Sequence, residues 1–366
     1  VGFYEHGRFV HPETPDIAAA YRPPVFPLFA AATFYLAGGP SPLVIVIAQI
    51  ALLLATGLIF RSMVNDWLPG RGNLGMALLL FNPNVFSVTQ FVQSDSLFLF
   101  FVTCAVWALL RQSRGIRHWN YATMAGITVA LATLTRPTAQ FLIIVLPLAF
   151  LLLEVTSGRP QNWCRGLISG LVASLVALAI VTPWALHVSD VDGRFDLSSS
   201  EVKSRYIWDQ VAMVQAQSTG VSYYSTGTNE TSARTALAAR HGDTWARMTA
   251  PEQHEAMLKE GYRTLLSYPL PDLLISYARS ITQFFFAGGS GRWHYLLVKD
   301  PTQLAKAWFE TSQGDIIGMA YRFLTSASGA AIAISGLCIG FVIAARLIAV
   351  AGFLEICQRS NGPLIL

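Results

Sequence analysis

Long apolar runs without any charged side chain dominate this chain. Asp, Glu, Lys and Arg are all absent from seven windows: 23–60, 72–94, 96–110, 118–135, 137–153, 166–189 and 323–345. A helix that crosses the hydrocarbon core of a bilayer needs ~17–25 predominantly apolar residues. The pattern therefore predicts spanning helices near 41–61, 73–91, 95–111, 120–136, 138–154, 166–186 and 320–345.

Two further apolar segments do not fit a simple span. Segment 25–37 has Pro on both flanks and would cover only ~20 Å as a helix, which predicts an interfacial or re-entrant helix. Segment 268–288 carries Arg279 at its middle, where an unpaired charge costs ~2.5–3.5 kcal/mol in a spanning helix. Whether this segment spans the membrane is ambiguous. The predicted alternation of the spans is more consistent if the segment lies along the outer surface of the membrane.

One helix of the polar region has clear start and stop signals. Thr249 and Glu252 form a predicted capping box, and Pro251 stands in the first turn. Met257 and Leu258 then begin an apolar face, and Pro269 is expected to end the helix.

The positions of arginine predict the orientation of the helices. Short cytoplasmic loops of membrane proteins collect Arg and Lys. Arg residues occur in the connections 61–72, 111–118 and 155–165 and after 345, which predicts that these segments face the cytoplasm. The alternation of spans then places the remaining connections on the outer side of the membrane. These are segment 1–40, the turns 91–95 and 136–138, and the long stretch 187–319.

Composition supports a membrane protein. Of the 366 residues, 53% are hydrophobic and 13% are charged, against ~25% charged in average globular chains. A water-soluble globular enzyme, a disordered chain, collagen and a disulfide scaffold are all excluded on this ground. The net charge of +4 is spread thinly, so no nucleic acid is expected as a partner. The predicted partner is the lipid bilayer.

The predicted fold class is an all-α polytopic membrane protein. Its expected divisions are an outer loop with an interfacial helix (1–40), a six-helix transmembrane bundle (41–186), an extracytoplasmic region with helices (187–319), and a last transmembrane helix with the C-terminal segment (320–366). The chain opens on Val1 and a polar segment, so we expect that a first transmembrane helix precedes it.

Three ionisable residues fall on the predicted outer side, at the edge of apolar helices. Asp95 begins the helix 95–111, Arg136 lies in the turn between two spans, and Arg22 precedes the interfacial segment. Arg binds phosphate oxygens in a bidentate way, and a carboxylate can accept a proton from a hydroxyl. Each also has a structural interpretation: Asp95 as a favourable charge at a helix N-terminus, Arg136 as a snorkelling anchor, and Arg22 as a surface charge. Together they favour a site for an anionic lipid headgroup.

The outer end of the last bundle helix carries a further polar pair. Trp184 follows Pro183 and is typical of an aromatic belt at the membrane interface. His187 is a candidate polar residue next to it, although a single His at a helix end is usually structural.

Four sequence blocks, in order, resemble the GT-C glycosyltransferases. The closest branch is the polyprenyl-phosphate-sugar-dependent one, which includes the protein-mannosyltransferase-like family (glycosyltransferase family 39) and the aminoarabinose-transferase-like enzymes. The blocks are Tyr21-Arg22-Pro23-Pro24-Val25-Phe26-Pro27-Leu28-Phe29-Ala30, Gln93-Ser94-Asp95-Ser96-Leu97-Phe98, Gly126 through Leu134-Thr135-Arg136-Pro137, and Thr182-Pro183-Trp184.

The resemblance implies a GT-C-like bundle in the bacterial inner or plasma membrane, and roles for particular residues. Asp95 would be catalytic, while Arg22 and Arg136 would bind the donor phosphate, with Tyr21 and His187 also in the substrate-binding group. The implied reaction is inverting transfer of a sugar from a polyprenyl-phosphate donor, at the outer face, to a glycan, lipid or protein of the cell envelope. No cofactor is implied with certainty, and a divalent metal is possible.

The chain departs from the family pattern in two places. The family's principal catalytic Asp lies in the first outer loop, and Val1 to Phe9 resembles the segment just after it, so we expect that Asp to precede Val1. His187 stands where the family often has Arg. Two other hypotheses stay open at this point: a transporter or lipid flippase, and a non-catalytic envelope scaffold. Transporter sites, however, lie near the bilayer midplane.

Overall fold

The residues that the structure describes are mostly helical. The computed structural model describes residues 2–10, 20, 22–112, 118–156, 163–219, 227–286 and 329–359. The chain divides into two compact units, one formed by Val1–Leu197 and Ala345–Leu366 and the other by Ser198–Ala344. The described regular elements are helices, and several can cross a bilayer, so the predicted all-α polytopic membrane fold is confirmed.

The described residues of the first unit form a series of helices. In chain order the described ones are α1 (Gly2–His6), α2 (Val25–Ala37), α3 (Pro42–Trp67), α4 (Gly72–Leu80), α5 (Pro83–Thr89), α6 (Asp95–Gln112), α7 (His118–Thr133), a 3-10 turn (Pro137–Ala139), α8 (Gln140–Thr156) and α9 (Trp163–Asp192).

Four described helical segments are long and apolar enough to span a membrane. They are Pro42–Trp67, Asp95–Gln112, Pro137–Val155 and Trp163–Asp192. Segment 120–136 forms α7, which at 16 residues is shorter than these four. Segment 320–345 begins outside the described residues and continues as a helix whose apolar stretch is Ile332–Ile348.

The predicted single span at 73–91 is wrong. The structure has two short helices there, α4 of 9 residues and α5 of 7 residues, separated at Phe81 and Asn82. Pro83 causes the break, because proline offers no N–H to a helix and disfavours the helical conformation of the residue before it. Asn82 is accordingly extended, with ψ 116°, and its side chain accepts a hydrogen bond from the Asn84 N–H at 3.0 Å to start α5.

The core of this unit lies between α6, α7, α8 and α9 and is built largely from alanine. A Cβ added at Gly126 of α7 would meet the Ala173 carbonyl oxygen of α9 at 2.4 Å, and one added at Gly170 of α9 would meet the Pro147 Cα of α8 at 2.4 Å. The missing side chains thus let the backbones approach closely, which is how helices pack in lipid.

Segment 25–37 forms a helix with the predicted bounds. α2 has 13 residues and ends at Gly38, whose φ of 75° lies in the left-handed region that favours glycine. Ala31 and Phe34 are buried, whereas Tyr35 and Leu36 are exposed. The helix is too short to span, as expected.

The second unit has its own core. Its described helices are α10 (Ser200–Thr219), α11 (Glu230–His241), α12 (Asp243–Arg247), α13 (Ala250–Ser267) and α14 (Leu270–Phe286). A further helix, α15 (Gly329–Arg359), runs across the boundary of the two units. Trp208, Val211, Leu237 and Met257 are buried together at the centre of the second unit.

A buried polar network joins three of these helices. His254 of α13 is 7% exposed, its Nδ1 lies 3.2 Å from the Ser204 hydroxyl of α10, and its Nε2 lies 3.3 Å from a guanidinium nitrogen of Arg234 of α11. The Ser204 hydroxyl also lies 3.4 Å from the Glu230 carboxylate. Both ring nitrogens of His254 are therefore engaged, which fits an architectural role.

The start and end of α13 were both predicted correctly. The Thr249 backbone N–H donates to the Glu252 carboxylate at 2.7 Å, the Thr249 hydroxyl donates to it at 2.8 Å, and the helix stops at Ser267, before Pro269. These two donors hold the pKa of Glu252 below its usual value, since they stabilise the ionised form.

Candidate active site

Asp95 stands at the first position of α6. The positive end of a helix dipole stabilises a carboxylate there, and the side chain of Asp95 is 32% exposed. The neighbouring Ser96 is 5% exposed, and its hydroxyl has no hydrogen-bond partner within the described residues. The carboxylate is therefore held at a helix end where water and a ligand can reach it.

Gln49 holds the loop that leads into Asp95. It lies within the spanning helix α3 and is fully buried. Its amide nitrogen donates to the carbonyl oxygens of Thr89 at 3.0 Å and Phe91 at 2.7 Å, and its amide oxygen accepts from the Gln93 N–H at 3.3 Å. These three bonds satisfy irregular backbone that the membrane could not hydrate.

Sequence reasoning missed Gln49. The available signal was a polar amide within the charge-free run 23–60. Such a residue in a membrane helix needs a hydrogen-bond partner.

Arg136 leaves the end of α7 because of the proline after it. Pro137 pushes the preceding residue into the extended region, and Arg136 has φ −143° and ψ 122°. One guanidinium nitrogen of Arg136 donates to the Asp95 carboxylate, and the guanidinium carbon lies 6.0 Å from the centre of the Phe98 ring. The two residues that the sequence singled out at this rim are thus in direct contact.

The segment that carries Arg22 is bonded to the same turn. The Val25 N–H donates to the Leu134 carbonyl oxygen at 3.0 Å, two residues before Arg136. Arg22 is exposed and stands three positions before that bond, while Pro23 is buried. The structure therefore joins the backbones of the Arg22 and Arg136 blocks. Tyr21 lies outside the described residues.

His187 packs in an aromatic group around Trp184. Its ring centre lies 4.9 Å from that of Trp184, and Phe9 packs edge-on against Trp184 at 5.4 Å. Trp184 is 6% exposed, and its indole N–H donates to the Leu197 carbonyl oxygen at 3.1 Å. The predicted aromatic-belt role of Trp184 is wrong, because the ring is part of the core and does not face lipid headgroups.

The exposure of the Asp95–Arg136 pair decides what it can do. The two side chains are 32% and 39% exposed, and ion pairs in contact with solvent contribute only ~0.2–1 kcal/mol to stability. Hydrogen bonds to charged groups are worth ~1.5–3 kcal/mol. A phosphate that binds Arg136 can therefore replace the carboxylate at little cost. Within the described residues, no three His, Cys, Asp or Glu side chains converge where they could hold a metal ion.

One of three comparisons with known proteins finds a similar family. The sequence model of the dolichyl-phosphate-mannose-protein mannosyltransferase family matches residues 21–187. This segment contains Arg22, Asp95 and Arg136 and lies entirely in the first unit. A search of curated proteins and a search of solved structures find no match. Over residues 21–187, therefore, the chain is similar to the dolichyl-phosphate-mannose-protein mannosyltransferases, which confirms the predicted resemblance and supports a membrane glycosyltransferase of the GT-C type.

Proposed function

We propose that this protein transfers a sugar from a polyprenyl-phosphate donor to an acceptor of the cell envelope, with inversion at the anomeric carbon. The observation that carries the proposal is the contact between Asp95 and Arg136 at one rim of the helix bundle. The backbone bond between Val25 and Leu134 supports it, because it ties the Arg22 segment to the same rim. The family match over residues 21–187 supplies the reaction class.

In the proposed reaction an acceptor hydroxyl attacks the anomeric carbon of the sugar. The new bond forms between the acceptor oxygen and that carbon, while the bond from the carbon to the phosphate oxygen breaks. The hydroxyl proton passes to the Asp95 carboxylate, and polyprenyl phosphate leaves with the electron pair. Arg136 and Arg22 stabilise the negative charge that develops on the leaving phosphate, which fixed cations do best in a site of low dielectric constant.

The ion pair gives the reaction an order of events. Without donor, Arg136 is bonded to Asp95. When the donor phosphate binds, its oxygens take over the Arg136 guanidinium, because Arg binds phosphate in a bidentate way. Asp95 is then released to face the acceptor hydroxyl as a general base. Donor binding thus prepares the base for the acceptor.

The proposed location is the extracytoplasmic side of the cell membrane. The arginines of the connections 61–72, 111–118 and 155–165 support a cytoplasmic position for the opposite rim. Lipid-linked donors present their phosphate at the membrane surface, where Asp95 and Arg136 would meet it. The identity of the sugar and a divalent metal as a further phosphate ligand are both left to the experiment.

The test is transfer of radiolabelled sugar by the full-length protein in membranes. Polyprenyl-phosphate sugar, nucleotide sugar and free sugar are supplied in parallel, with and without chelator. We expect a labelled envelope product from the polyprenyl-phosphate donor alone. The Arg136→Ala variant should insert normally and lose most of this product, whereas Arg111→Ala, at the other end of α6, should retain it.

Two outcomes would overturn the proposal. A product formed from nucleotide sugar would exclude the lipid-phosphate donor. Movement of a solute or lipid across the membrane, without any covalent product, would instead favour the transporter hypothesis.

A further inference from the structure

Helix α14 of the second unit exposes an apolar stripe. Leu270, Leu274, Tyr277 and Ile281 are 66%, 60%, 61% and 55% exposed. Their spacing of four, three and four residues places them on one side of the helix. A helix of a water-soluble protein turns such a stripe toward its core, so this stripe requires another apolar surface.

The opposite side of α14 is occupied by polar contacts with its own unit. Arg279 donates to the Gln217 side chain of α10, and Ser276 is 9% exposed. The helix therefore turns its polar side to the protein and its apolar side outward. This arrangement also accounts for Arg279, whose charge argued against a spanning helix.

The position of Arg279 argues that α14 lies along the membrane. A spanning orientation would place the Arg279–Gln217 contact within the bilayer, where a charged side chain is costly. An amphipathic helix that lies in the interface avoids this cost.

The chain itself indicates that the missing surface is lipid. The spanning helix α9 ends at Asp192 and α10 begins at Ser200, and the seven intervening residues reach at most ~25 Å. The apolar stretch Ile332–Ile348 begins within the second unit and ends just beyond its last residue, Ala344. Apolar helices thus stand on both sides of α14 in the chain.

The neighbouring residues of α13 have the character of a membrane interface. Tyr262 and Leu266, near the end of that helix, are 51% and 75% exposed. Lys259 and Arg263 beside them are also exposed. Tyrosine and basic side chains next to apolar ones are typical of helices that lie at the headgroup level of anionic membranes.

We propose that α14 lies in the plane of the bilayer interface, with Leu270, Leu274, Tyr277 and Ile281 inserted at the boundary between headgroups and acyl chains. The partner of this surface is the lipid itself. The proposal does not depend on the transfer reaction, since it concerns the placement of the second unit's helix and no group of the Asp95 site.

The test measures the depth of spin labels on α14 in the full-length protein. The four native cysteines are replaced by alanine, and nitroxides are attached to Leu274→Cys, Ile281→Cys and, as control, Ala236→Cys on the exposed side of α11. The protein is reconstituted into vesicles of phosphatidylcholine and phosphatidylglycerol. Accessibility to oxygen and to a water-soluble nickel chelate gives the depth of each label. Tyr277→Cys replaces either stripe position if that variant does not fold.

An in-plane helix predicts equal depths at positions 274 and 281, ~5–10 Å below the headgroup level, while position 236 stays open to the nickel chelate. A spanning helix would separate the two stripe labels by ~10 Å in depth. Such a separation would overturn the proposal. So would nickel access at both stripe positions, exclusion of both reagents by a protein cover, or spin–spin broadening between two copies of the chain. None of these readings depends on glycosyl transfer.

Discussion

Helix α6 carries an arginine–aspartate pair at each end, and the two pairs share their chemistry but differ in their surroundings. At the start of the helix, Asp95 binds Arg136, which lies 6.0 Å from the Phe98 ring. At its end, Arg111 binds Asp66 at 3.1 Å and lies 5.7 Å from the Trp107 ring. Both pairs are about one-third exposed.

The two arginines differ in the structure that surrounds them. Arg111 also donates to the Ser62 hydroxyl at 3.0 Å, so both of these partners lie on α3 and the contacts join two regular helices. Arg136 lies in a turn whose backbone is bonded to the Arg22 segment, opposite a loop that Gln49 holds. An ion pair alone is therefore no sign of function. The distinguishing feature is the irregular backbone around the Asp95–Arg136 pair, which is bonded to the segment that carries Arg22.

The largest effect on the transfer rate is expected when each aspartate of the two pairs is replaced by asparagine. Asp95→Asn removes the proposed general base and should lower the transfer rate by ~10²-fold or more. Asp66→Asn should leave the rate unchanged, because it weakens only a partly exposed pair worth ~0.2–1 kcal/mol. Transfer of labelled sugar in membranes measures both variants. Equal losses at the two ends of α6 would contradict the distinction.

The next largest effect tests whether catalysis depends on the loop before Asp95, which Gln49 supports. Gln49→Leu leaves the carbonyls of Thr89 and Phe91 without their donor, and each unsatisfied buried group costs ~1–3 kcal/mol. We expect the loop before Asp95 to move and to shift its carboxylate. This displacement should lower kcat by ~10-fold to 10²-fold, with little change in the KM for the donor. Thr56→Val is the control, because this buried hydroxyl bonds only within α3, to Leu52. A parallel loss of kcat in the control would show a general packing defect.

A smaller effect should distinguish the arginines. Arg136→Lys keeps the charge but loses the bidentate geometry for phosphate. The KM for the polyprenyl-phosphate donor should rise ~10-fold, since hydrogen bonds to charged groups contribute ~1.5–3 kcal/mol. Arg111→Lys should leave this KM unchanged. Saturation curves against donor concentration provide the measurement, and an equal rise in both variants would remove the proposed role of Arg136.

The smallest effect is expected at the aromatic rings. Phe98→Leu removes the ring face beside the Arg136 guanidinium, and such contacts are worth ~0.5–1 kcal/mol at exposed sites. The donor KM should therefore rise about twofold to fivefold. Trp107→Leu, at the Arg111 end, should not change it. If Trp107→Leu raises the KM as much as Phe98→Leu, the rings only support packing.

Local signals in the sequence predicted several elements correctly. α2 has the expected bounds because Pro24 and Gly38 limit it on both sides. α13 begins at its capping box and stops before Pro269. Both results depend on contacts between residues a few positions apart, which the sequence displays directly. Asp95 was likewise expected at the start of its helix.

The errors arose where apolar composition was taken as sufficient. Segment 73–91 is free of charge, yet Asn82 and Pro83 divide it into two short helices. Trp184 was expected at the end of a helix, yet α9 continues to Asp192. The ring is buried, and its N–H donates to the Leu197 carbonyl oxygen. Hydropathy reports whether a segment avoids water, and it does not report whether the segment faces lipid or protein.

The sequence by itself determined that this chain is a helical membrane protein, because its uncharged runs have the length of a spanning helix, about 20 residues, and a helix satisfies its backbone within the segment. It also singled out Asp95 and Arg136 as polar residues that required an explanation, although it did not single out Gln49. Only the tertiary structure decided that Asp95 contacts Arg136 and that Gln49 supports the loop before it, since these residues lie about 40 positions apart in the chain. Contacts at that separation depend on how helices pack, and that is settled by the shapes of many side chains together.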